Sequence, residues 1–98
     1  MASSIHYTDK EPLTVSDSST PITVATAANS DRAFITCETA AVRFWLNGSA
    51  PSASAGHILE PGDVLLLDSR AQIAAFRAYR KDSTDATLQV SLGTEGGQ

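Results

Sequence analysis

Cysteine occurs once in the 98 residues, at position 37, so no intrachain disulfide is available and packing and strand pairing must hold the fold together. Basic charge is also scarce, with seven Lys and Arg against eleven Asp and Glu and a formal net charge of −4. A phosphate-backbone binder needs a clustered cationic footprint, so nucleic acid is not an expected partner. No apolar run approaches the roughly 18 residues a membrane-crossing helix needs. Residues 1–15 contain no basic segment followed by an apolar one. Neither a membrane partner nor an export signal is therefore expected. Only two histidines are present, which leaves metal chemistry short of nitrogen ligands.

The composition that remains is 42% hydrophobic and only 18% charged, with Ser, Thr and Ala making up the difference. At this length one core and one domain are expected. Apolar residues recur mainly with a period of two. Residues 41–46 set Val42, Phe44 and Leu46 against Arg43 and Trp45, the pattern of a half-buried strand. Residues 64–67 are continuously apolar after Glu60-Pro61-Gly62-Asp63, which predicts a type II turn launching a strand buried on both faces. Between them, Asn47 is followed by Gly, Ser, Ala and Pro without period through residue 56, a long loop of the kind that makes contacts. Asn47-Gly48-Ser49 matches a glycosylation sequon but reads better as turn chemistry.

Elsewhere, residues 20–27 (TPITVATA) are β-branched and alternate, and a hairpin with residues 33–39 is the simplest pairing. Residues 69–73 predict one helical turn and 74–80 a strand, while 86–92 close the fold with Leu88, Val90 and Leu92 inward and Gly93 releasing the chain. Residues 1–17 read as an extended N-terminal arm, 18–93 as the domain and 94–98 as a polar tail. Together these signals predict an all-β, single-domain β-sandwich or small jelly-roll-like barrel of about six to eight short, mainly antiparallel strands.

Chemistry has little to work with. Cys37 with His57 has the residue types of a nucleophile and base, but a thiol on an alternating strand is normally a small buried hydrophobe. His57, Glu60 and Asp63 surround a turn in a way superficially like cupin barrels, yet the close spacing of a preformed metal site is missing. No catalytic residue, cofactor or metal is expected. Interaction surface is better supplied. Arg43 and Trp45 alternate with core residues and should point outward, Arg77 and Tyr79 repeat the motif, and Trp, Tyr and Arg dominate interface energetics. A second sheet covering Trp45 is the competing expectation. Ile5 and Tyr7 of the arm, and Ser49, Pro51 and Ser54 of the loop, complete the candidate interface. A carbohydrate-binding sandwich that uses Trp45 as a stacking platform is a further reading.

Two stretches then carry a resemblance. Val42-Arg43-Phe44, a Gly48, Ala50 and Pro51 loop, Gly56-His57, the turn Pro61-Gly62-Asp63 and the closing Thr84-Asp85-Ala86-Thr87-Leu88 together resemble small β-sandwich virion structural proteins of tailed bacteriophages. The likeness spans about half of the chain and departs in using Ser in the loop where Thr is expected. It implies a non-enzymatic capsid decoration or cement protein, or a neck, tail or fibre component. The partners it implies are further copies of the chain, a trimer being one closed form, and the major capsid protein or other virion proteins. The location implied is the virion, after synthesis in the bacterial host cytoplasm.

Overall fold

In the computed structural model, residues 5–22 and 30–95 are described. Among them run β1 (Ile5–Lys10), β2 (Leu13–Val15), β3 (Thr20–Pro21), β4 (Arg32–Glu38), β5 (Val42–Trp45), β6 (His57–Leu59), β7 (Val64–Leu67), α1 (Arg70–Ala75), β8 (Arg77–Arg80) and β9 (Ala86–Glu95). The strands form two sheets. One has the order β1-β9-β4-β7, with β2 also paired to β9, and the other has the order β3-β8-β5-β6. Every pairing between these strands is antiparallel. The protein is an all-β sandwich.

Alternation places the core between the layers. Along β9, Leu88, Val90 and Leu92 are buried, and along β4 so are Ala33, Ile35 and Cys37. From the other sheet come Val42, Phe44, Leu59 and Ala78. The Phe44 and Phe76 rings stack at 5.9 Å and 28°, a geometry worth about 0.5–1.5 kcal/mol beyond the area it buries. The helix carries the chain from the first sheet to the second. Ser69 caps it, its Oγ accepting the Gln72 N–H at 3.1 Å, and Ile73 is its fully buried residue. Helical composition thus wins through residue 75, two residues beyond the expected single turn, and the strand begins only at Arg77.

The turn at residues 60–63 is as expected. Asp63 N–H donates to the Glu60 carbonyl at 2.9 Å, and Gly62 takes φ +93°, which an L side chain rarely adopts. The strand launched by this turn differs from expectation. β7 is an edge strand with Val64 52% and Leu66 63% exposed, so only one of its faces is buried. A continuous apolar run does not say whether a second layer covers both sides.

Three other differences concern pairing. The described part of residues 1–17 is no separate arm, because β1 and β2 succeed each other along one side of β9 and Leu13 and Val15 are buried. β3 pairs with β8 in the second sheet, whereas β4 lies between β9 and β7, so no hairpin joins β3 to β4. The rest of the run expected as a strand, residues 23–29, lies outside the described residues. Finally, Gly93 does not release the chain, since β9 continues to Glu95 against β1. These additional pairings raise the strand count above the six to eight expected.

Candidate interaction face

The register of the second sheet brings the four outward candidates together. Arg43 lies opposite Tyr79 and Trp45 opposite Arg77 on the paired strands β5 and β8. Their neighbours Val42, Phe44 and Ala78 are buried while these four are half-buried, so all four project from the outer face. Among the described residues no second layer covers Trp45. It is only partly shielded, by an edge contact with the His57 ring at 5.2 Å and 74°, and His57 also leans on Phe44 at 5.4 Å. The face continues sideways, with Ile58 opposite Arg43 on β6 and Pro21 opposite Arg77 on β3. Ile58 is 43% exposed. Three-residue β6 is too short to display a period, and its contribution was therefore hidden in the sequence.

The long loop is fastened to this face by Arg43. Its Nε donates to the Ala53 carbonyl at 2.9 Å and its guanidinium NH1 to the Gly56 carbonyl at 2.8 Å. A planar fork suits two diverging carbonyls in a way an ammonium does not. Within the loop, Asn47 Oδ1 accepts the Ser49 N–H at 3.1 Å, the Asx turn its Asn-Gly sequence predicts. Ser49 and Ser54 are exposed, whereas Pro51 is buried and presents no surface. Arg77 reaches the Ser19 hydroxyl at 3.4 Å.

Tyr7 belongs elsewhere. It sits on the first sheet opposite Gly93, 42% exposed, in an edge-to-face contact with Phe34 whose ring centroids are 6.2 Å apart. The candidates therefore divide between the outer faces of two different sheets. The side chain of Ile5 lies outside the described residues.

The alternative chemistries can be placed too. Cys37 is 3% exposed, and its thiol donates to the Ala40 carbonyl at 3.1 Å. Burial pushes this thiol up to about 11, helped by the negative charges of Asp63, Glu60 and Glu38, so at neutral pH it is protonated. Asp63 Oδ2 accepts the Glu60 N–H at 2.8 Å, within the turn. Among the described residues no three His, Cys, Asp or Glu side chains are grouped as metal ligands would be, and no helix is long and apolar enough to cross a membrane.

Comparison with protein-family models, with curated proteins and with solved structures finds no match to this chain. Fold and face together define a class only: an antiparallel β-sandwich that displays an Arg, Tyr and Trp surface on one sheet.

Proposed function

We propose that this chain is a non-enzymatic virion structural protein of a tailed bacteriophage, a decoration or cement protein that binds the head shell as an oligomer. The observation that supports the reading is the cross-strand cluster of Arg43, Tyr79, Trp45 and Arg77 on one outer face. These residue types carry most binding energy in protein interfaces because they bury large, fairly rigid area with a polar tip. The braced loop of residues 47–56 stands beside them and extends the contact surface. Around a closed symmetric assembly, modest contacts made by each copy add up.

The test is co-sedimentation of the purified chain with heads, and separately with tails, from the phage that encodes it, together with sedimentation velocity of the chain alone. Saturable binding to heads is expected, weakened roughly tenfold or more by Trp45→Ala or Arg77→Glu without loss of the folded far-UV signal, as hot-spot truncations behave. Binding to tails alone would move the protein to the neck or tail. A strict monomer that binds neither particle would overturn the proposal.

A further inference from the structure

The sandwich leaves four sheet edges among the described residues, and three of them are guarded. β1 has a register irregularity between Tyr7 and Asp9 and carries Asp9 and Lys10. β3 is two residues long and contains Pro21, and β6 is three residues long. Charges, proline, irregularity and shortness are the usual devices that stop an edge from accepting another strand. β7, Val-Leu-Leu-Leu, has none of these except modest length.

Its backbone is oriented for pairing. Cys37 N–H donates to the Asp63 carbonyl at 3.4 Å, which fixes the phase of the β4–β7 ladder. By the alternation of an antiparallel pair, Leu65 and Leu67 turn their N–H and C=O towards β4, and Val64 and Leu66 turn theirs off the free edge. The same two residues are the most exposed large apolar side chains of the described structure. Leu66 lies opposite Phe34, itself 38% exposed and in ring contact with Tyr7. A free hydrogen-bonding edge thus borders a continuous apolar strip.

Charge selects the occupant. Glu60 and Asp63 precede the strand and Asp68 follows it. The nearby Arg32 guanidinium is engaged with Asp31 and with the Asp31 and Asp68 carbonyls, and Arg70 opens α1. By the same phase, a second copy added antiparallel with Val64 paired to Leu66 of the other copy would set Asp63 of each across from Leu67 and next to Asp68 of the other, and like charges brought close together repel. We infer that β7 receives an extended segment of a different protein, with aliphatic side chains at alternate positions and Lys or Arg at both ends, as an added strand. This surface lies on the opposite side of the sandwich from Arg43 and Trp45 and is independent of the virion assignment.

The probe is a nine-residue peptide of alternating valine and threonine with two lysines at each end, titrated into the full chain by fluorescence anisotropy. Saturable binding is expected, at least tenfold weaker for the peptide with glutamates at its ends and for Leu66→Lys or Val64→Lys, and unchanged for Trp45→Ala. Amide exchange supplies a readout without any variant, because the Val64 and Leu66 N–H groups should gain protection on binding. No saturable binding, equal affinity for both peptides, or protection elsewhere would overturn the inference. So would self-association of the chain that Leu66→Lys abolishes, which would make a second copy the occupant.

Discussion

Gly93 lies so close to His6 that a Cβ on residue 93 would be driven into the His6 carbonyl and come within 2.7 Å of the Tyr7 Cα. Here the glycine is needed for space between two strands. β1 shifts register between Tyr7 and Asp9 beside this approach. Gly93→Ala must therefore push β1 off β9, an overpacking that typically costs about 1–3 kcal/mol. In a domain of this size that should lower the melting temperature by roughly 4–8 °C per kcal/mol. Amide protection should fall in β1 but persist in β2, which pairs with the far end of β9. An unchanged melt would show that β1 is not held there.

Cys37 provides a pH signature. Its thiol is raised from 9.0 to about 11 by burial first and by Asp63, Glu60 and Glu38 after it. The folded state therefore holds this proton more tightly than the unfolded one. The resulting stabilisation is complete below pH 9 and is lost as pH rises through 11. Urea melts of the wild type from about pH 8 to 11 should fall more steeply than those of Cys37→Ala, and a thiol reagent should react slowly at about pH 8 until denaturant is added. Parallel pH profiles for the two proteins would refute the assignment.

Arg43 should act on the loop more than on the core. Arg43→Ala removes the bonds to the Ala53 and Gly56 carbonyls, a loss of about 1–2 kcal/mol, low for charge-assisted bonds because the site is open to water. Arg43→Lys should recover little, as one ammonium cannot reproduce the fork. Amide exchange and protease cleavage within residues 47–56 should both accelerate in either variant. Unaltered exchange in that loop would show that the brace is not what orders it.

How much of this was legible in the sequence depends on the kind of information each element carries. Strict alternation in residues 42–45 and 77–80 identified Arg43, Trp45, Arg77 and Tyr79 as outward, because side-chain direction in a strand is local. Their assembly into one cluster depended on a non-local register that alternation does not encode. The apolar run of β7 has no period, and edge or centre is decided by which strands arrive beside it. Phe34, Leu66 and Val64 were missed for that reason. Leu13 and Val15 had the right period, but polar neighbours made them look like parts of an arm.

Thr39 marks where the chain leaves one sheet for the other, and it does so under strain. Its φ is +79°, and Ala40 N–H donates to the Glu38 carbonyl at 2.9 Å across it, an i to i+2 bond that makes a γ-turn of the disfavoured hand. A β-branched residue in such a conformation costs of order 1–3 kcal/mol, while glycine there would forfeit only about 0.5–1 kcal/mol through the greater freedom of the unfolded chain. The larger effect should win. Thr39→Gly is expected to stabilise the fold by about 1 kcal/mol, since Thr39 is exposed and its side chain fills no core space. The gain should appear as a higher urea midpoint with an unchanged slope, the mark of altered stability without altered compactness. A midpoint that falls would mean that the corner tolerates threonine without strain.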